Sequence, residues 1–139
     1  MRFMILLKAD KSTEAGILPD QKVFDDMIRF NEELVKAGVM LSGDGLQPSS
    51  QGARVKFSKE SVIVTDGPFA ETKELICGFW IWQVKSKQEA IEWLKRAPLG
   101  GDTEVEIRRL YEMDELGDGC TPELKARDAK LREQIAARE

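Results

Sequence analysis

A chain of 139 residues, 42% apolar and 33% charged, suits one ordinary domain with a real core and leaves little room for a second. Its net charge of −4, with both signs mixed, runs against a nucleic-acid binder, whose footprint is a basic patch or stripe. Histidine is absent, which removes Ser-His-Asp and Cys-His nucleophile systems and imidazole metal ligation together.

Arg2 to Ala9 reads as a first strand, with Phe3, Ile5 and Leu7 on one face and Met4 and Leu6 on the other. The stretch Met1 to Leu7 is too short for the apolar region of a signal peptide and is followed at once by Lys8 and Asp10. No apolar run approaches the ~18 residues of a membrane span, so a cytoplasmic protein without a membrane partner is expected. After a polar loop, Pro19-Asp20 opens a helix whose stripe is Val23, Met27, Phe30, Leu34 and Ala37, and Gly38 is placed to end it in a left-handed cap. Val39 to Leu41 resume extended chain, and Ser42-Gly43-Asp44-Gly45 is a turn or bulge.

Ala53–Phe57 and Ser61–Thr65 form two short strands of a hairpin, and Asp66-Gly67-Pro68 supplies the next turn. Ile76 to Val84 is the strongest strand signal in the chain. Ser86 caps the next helix, with Glu89 completing a capping box, Ala90, Ile91, Leu94 and Ala97 as its buried stripe, and Pro98 as its stop. Glu104 to Tyr111 is the last strand, and Thr121-Pro122 begins a terminal helix with only a thin stripe of Leu124, Leu131 and Ile135. The order predicts an α+β fold: a ferredoxin-like plait over residues 1–115 with an inserted β-hairpin, and a C-terminal helical extension over 116–139.

Two helices cover only one face of such a sheet, and an antiparallel sheet with its other face in water should alternate apolar and polar residues. Ile76 to Trp82 does not alternate: Trp80 and Trp82 fall on one face, Phe79 and Ile81 on the other. The first strand is apolar on both sides too. A second copy packed face to face would cover the surplus, and the tryptophan-bearing side is the one expected to need it, so a homodimer is predicted.

Several side chains invite a chemical and a plain structural reading side by side. Asp66 is the candidate catalytic residue, a general acid or base in a mostly apolar cleft with Phe69 and Trp80 excluding water; equally, Asp-Gly-Pro is turn chemistry. Lys73 and Thr72 suit an anionic ligand group or a solvated charged loop. Trp80 and Trp82 suit an aromatic ligand wall or packing in the core or the dimer contact. Asp44 has the same two readings as Asp66. Arg108 and Arg109 fall on opposite faces of the last strand, where one is either a clamp for a carboxylate or phosphate or an ion-pair partner of Glu104 or Glu106. Cys77 and Cys120 lack CxxC spacing and read as reduced thiols. No spacing resembles a calcium loop, so no metal and no cofactor are expected.

The segment Asp66-Gly67-Pro68-Phe69-Ala70-Glu71-Thr72-Lys73-Glu74 resembles the signature of the DGPF family of YCII-related proteins. Gly43-Asp44-Gly45-Leu46-Gln47-Pro48, Gly78-Phe79, Glu104 to Arg108 and the tail from Thr121 are similar to further segments of that family. The resemblance implies a dimeric α+β barrel and little about activity. The residues themselves suggest a small-molecule cleft lined by the DGPF loop, with Asp66 as the acid or base and Phe69, Thr72, Lys73 and Trp80 as the ligand contacts. The resemblance also implies an alternative, a non-catalytic sensing or interaction module tied to a sigma-factor system. A His–Asp dyad proposed for smaller relatives has no counterpart in a chain without His. Lyase, isomerase or oxygenase chemistry follows only by analogy of fold.

Overall fold

In a computed structural model that describes residues 1–138, the first strand is β1 (Arg2–Lys8), lying between β5 (Ile76–Gln83) and β6 (Val105–Arg109) in a four-stranded antiparallel sheet. The outer strand beside β5 is β2 (Met40–Gly45), giving the order β2-β5-β1-β6. The connections β1 to β2 and β5 to β6 each carry a helix, α2 (Gln21–Lys36) and α3 (Lys87–Lys95), which is the split βαβ pattern of the ferredoxin-like plait. Between the two halves stands a separate two-stranded hairpin, β3 (Ala53–Phe57) with β4 (Val62–Asp66).

Local chemistry accounts for the boundaries. The Asp20 side chain accepts the Val23 N–H at the start of α2, and Gly38 takes φ +73° just beyond its end. Ser86 accepts the Glu89 N–H to begin α3, while the Glu89 carboxylate accepts the N–H of Lys85 rather than that of Ser86 itself. One short helix, α1 (Lys11–Glu14), lies where the sequence suggests only a polar loop; Asp10 and Thr13 form its reciprocal capping box.

Register fixes which residues share a face. Phe3 pairs with Trp82 and Ile5 with Trp80, so both tryptophans lie on the side of β1 that carries Phe3 and Ile5. That side is packed by Phe30 and Leu34 of α2 and Ala90 of α3 in one buried cluster. Phe30 meets Trp80 edge to face at 5.8 Å and Trp82 at 6.3 Å. This corrects the expectation that the tryptophans mark the uncovered face: the helices of their own chain cover them. The opposite face carries Met4 and Leu6 beside Ile81 and Phe79, all of them only partly buried. The lack of alternation is real, but the surplus apolar side is the one without tryptophan.

Met1–Arg109 forms one compact unit, and residues 110–138 belong to a second. The second contains a 3-10 turn (Met113–Glu115) and α4 (Pro122–Ala136), which begins with the Thr121 hydroxyl accepting the Leu124 N–H. Asp128 and Arg132, four residues apart, pair at 3.4 Å, and Lys125 reaches Asp114 at 3.2 Å. Leu124, Leu131 and Ile135 are exposed. Among the described residues no helix is long and apolar enough to cross a membrane.

Candidate functional site

Where β2 leaves the sheet, the chain forms a half-open cavity of about 1010 Å³, large enough for an ordinary metabolite. It is bounded by the α1–α2 connection, the first half of α2, the turn following β2 and the middle of β5. Phe24, Met27, Leu46 and Trp80 are among its apolar lining residues, and Glu14, Asn31, Gln47 and Gln51 among its polar ones; Asp44 and Phe79 also border it, but they pair with each other and alternate with Gly43 and Trp80, so their side chains point to the other face of the sheet.

Trp80 is seated by what Gly43 lacks. A Cβ at Gly43 would come within 2.6 Å of Trp80 Cδ1 and 3.0 Å of the Met40 methyl, so the indole lies across a strand bare at that position. The Trp80 Nε1–H donates to Asn31 Oδ1 at 2.9 Å, which fixes the ring from the α2 side. A sequence that reads as turn glycine is thus a packing requirement of the cavity wall.

Glu14, the last residue of α1, is held equally firmly. The Ser49 N–H donates to Glu14 Oε1 at 3.0 Å, and the Ser49 hydroxyl donates to Oε2 at 2.5 Å. The same Ser49 oxygen accepts the N–H of Phe69 at 3.1 Å. Gly67 donates its N–H to the Gly52 carbonyl and lies so close to the Ser49 carbonyl oxygen that a Cβ would sit 1.8 Å from it. The Asp66–Phe69 segment, whose Gly67–Pro68 peptide is cis, is therefore clamped onto the Ser49–Gln51 turn. Through Ser49 it is connected to a carboxylate on the cavity wall.

Of the residues singled out from sequence, Trp80 lines the cavity, and Asp44 borders it with its side chain turned to the other face of the sheet. Asp66 ends β4 opposite Ala53, with its side chain exposed. Phe69 is half-buried beneath the Arg54 guanidinium, 4.0 Å from its ring centroid. Thr72 and Lys73 open a 3-10 turn (Thr72–Glu74), with Lys73 exposed. These four lie outside the cavity lining of their own chain. Arg108 pairs with Glu106 at 3.3 Å, the plainer of its two readings, and Lys8 stands 3.8 Å from the same Glu106. Among the described residues no group of three His, Cys, Asp or Glu side chains is arranged to hold a metal ion.

Glu14 and Asn31 did not stand out in the sequence. The pattern Asp10-x-x-Thr13 does signal a helix cap and hence α1, but the bond from Ser49 spans 35 positions and leaves no local trace. Cys77 also lines the cavity. Burial pushes its thiol above the usual range, reinforced by the negative charge of Asp10, and its Sγ–H donates to the Lys8 carbonyl at 3.5 Å. The neutral thiol is favoured by the fold, so its contribution to stability is complete below the ordinary thiol pKa and fades as pH rises through the elevated one. In a Cys120→Ser background, iodoacetamide labelling of native protein is expected to reach half its maximal rate at a higher pH than labelling of urea-unfolded protein. Coincident midpoints would refute this.

The YCII-related domain description matches residues 1–114. An uncharacterised protein of Rhizobium meliloti (strain 1021) is 34% identical over 101 residues, which is 70% of this chain and 82% of that protein. Among solved structures, a 5-chloro-2-hydroxyhydroquinone dehydrochlorinase from Burkholderia phenoliruptrix, in complex with 2,5-dihydroxybenzoquinone, is similar over 83% of this chain and 99% of that one. The identity there is 21% and the TM-score 0.43.

Proposed function

The chain belongs to the YCII-related domain family, and from that premise we propose that it is a homodimer that binds a small organic molecule in the cavity beside β2. The observation that carries the proposal is the cavity itself: a metabolite-sized space with an apolar lining and a few polar groups, in which Ser49 holds Glu14 and Asn31 holds Trp80. Ligand sites are built in this way.

Two features support the pairing. The sheet face bearing Met4, Leu6, Phe79 and Ile81 is apolar where a solvated face would be polar. The hairpin presents Val55, Phe57, Val62 and Val64 on one side, each at least 50% exposed. A two-stranded hairpin is marginal in water without a covering layer. A second copy of the chain would supply cover in closed two-fold symmetry. In such a pair the hairpin and the Asp66–Lys73 segment belong to the contact between subunits. Proton transfer, where a substrate calls for it, falls to Glu14 on the cavity wall.

A thermal-shift screen against a panel of metabolites tests the binding site, since a ligand that binds only the folded form raises the midpoint. At a concentration of 100 times Kd the gain is about 2.7 kcal/mol. Members of the panel are expected to raise the wild-type midpoint and to lose that effect in Leu46→Trp, which fills the mouth. A panel with no stabilising member, or shifts unchanged in Leu46→Trp, would remove the cavity from the account.

A further inference from the structure

The sheet side of the cavity includes a stretch of bare backbone. Gly45 of β2 pairs with Gly78 of β5, and Gly78 in turn with Leu7 of β1. Leu7 packs against the helix-covered cluster, and Gly43 and Gly45 alternate with Asp44. The side chains that Gly45 and Gly78 lack would therefore stand on the side of the sheet that α2 covers. Phe24 and Met27 of α2 line the same cavity from the helix side.

Nothing in the fold asks for glycine at position 45. Its φ is not positive, and, its sequence neighbours aside, a Cβ there would meet nothing within 4 Å among the described residues. The glycines that the fold does require look different: Gly38 takes φ +73°, and a Cβ at Gly43 or Gly67 would collide with its surroundings. A glycine inside a strand weakens it and often marks a place where a ligand or another backbone comes close. No backbone of this chain fills the place beside Gly45. The space that its missing side chain opens belongs to the cavity.

We propose that Gly45 and Gly78 form the seat for a flat, uncharged ring system that carries an N–H or O–H donor for Glu14, with Gly45 as the residue that selects for flatness. The inference rests on the reading of the cavity as a ligand site given above and adds the shape and charge of the ligand. The backbone here is already committed to pairing, the Leu46 N–H donating to the Cys77 carbonyl at 2.8 Å. What a bare strand surface then offers is dispersion, which is best at about 3.5–4.0 Å between carbons and fades quickly beyond. A planar ring reaches that spacing over its whole face, a puckered one at only a few atoms. Charge is decided by the lining: Glu14 contributes a carboxylate and neither Lys nor Arg contributes a cation, so an anion would be repelled without compensation. Each Glu14 oxygen accepts one hydrogen bond from Ser49 and keeps acceptor capacity for a donor on the ligand.

The test titrates matched probes into the full chain by calorimetry at neutral pH. They are 2-naphthamide, its fully saturated decahydro analogue, and 2-naphthoate, which exchanges the amide for an anion of the same shape. 2-Naphthamide is expected to bind at least tenfold more tightly than either of the others. Gly45→Val, whose side chain would occupy the seat, is expected to weaken 2-naphthamide by tenfold or more. Its thermal midpoint, and that of Gly45→Ala, should stay at or above the wild-type value, because an alanine or valine that fits the backbone restricts the unfolded chain. Equal binding of the saturated amide or of the anion overturns the inference and leaves the cavity as a ligand site. The same holds if Gly45→Val binds 2-naphthamide as wild type does. A lowered midpoint in Gly45→Ala would mean that the fold itself needs the glycine, and overturns the inference too. So does a wild-type protein that binds none of the probes; if the metabolite screen is also empty, the ligand site falls with it.

Discussion

Trp82→Ala is expected to lower the stability of the chain by about 3–5 kcal/mol, the range for removing a large aromatic side chain from a packed core. Trp82 is fully buried, and it bridges β5 to α2 through its contact with Phe30 and touches Trp80 at 5.4 Å. A loss of that size is a large fraction of the roughly 5–15 kcal/mol by which domains are stable. Urea unfolding followed by far-UV circular dichroism measures it. Trp82→Phe is expected to retain most of the stability, because it keeps a ring in the core. It also removes a buried Nε1–H for which the described residues offer no acceptor. If alanine cost less than about 0.5 kcal/mol, the size of an ordinary exposed substitution, the helix-covered core would be misassigned.

The second large effect is expected at Gly67. A methyl group there would overlap the Ser49 carbonyl oxygen, and backbone on both sides leaves nothing flexible to yield. Overpacking of this kind costs about 1–3 kcal/mol. Its more telling consequence is local: the Asp66–Phe69 segment would lift from the Ser49 turn, releasing the Phe69 N–H and loosening Glu14. Gly67→Ala is therefore expected to lose ligand stabilisation in the thermal-shift screen along with part of its own stability. Gly52→Ala is the control, since its Cβ would meet only an ordinary contact at 3.5 Å. Equal behaviour of the two variants would dissociate the loop from the cavity.

These two sites illustrate what the sequence does and does not disclose. The strands, both main helices and their caps follow from period, Gly38 and the Asp20 and Ser86 caps, because those signals are local. The plait then follows from the order of elements, and the hairpin from two short β-branched runs. The assignment of faces does not follow. Ile76–Gln83 is apolar on both sides, and only the register Ile5 to Trp80 and Phe3 to Trp82 reveals which side the helices cover. Sequence alone placed the tryptophans on the wrong side for that reason.

The candidate site was legible in part. Trp80 and Asp44 stood out and both border the cavity, although the Asp44 side chain points to the other face of the sheet. The Asp66–Lys73 run stood out for its distinctive residues, and its Gly67 and Phe69 prove to be anchored on the Ser49 turn. Glu14 was hidden because its importance arises from a partner 35 positions away. An acidic residue in a polar loop carries no sign of such a partner.

The paired architecture requires the apolar sheet face of Met4, Leu6, Phe79 and Ile81 to be closed by a second copy of the chain. Sedimentation velocity at micromolar concentration addresses this directly. The expected species has twice the 15.7 kDa mass of one chain, and Leu6→Glu, which plants a charge in the middle of that face, is expected to bring it down to one. A wild-type protein that sediments as a single chain up to tens of micromolar would contradict the paired architecture.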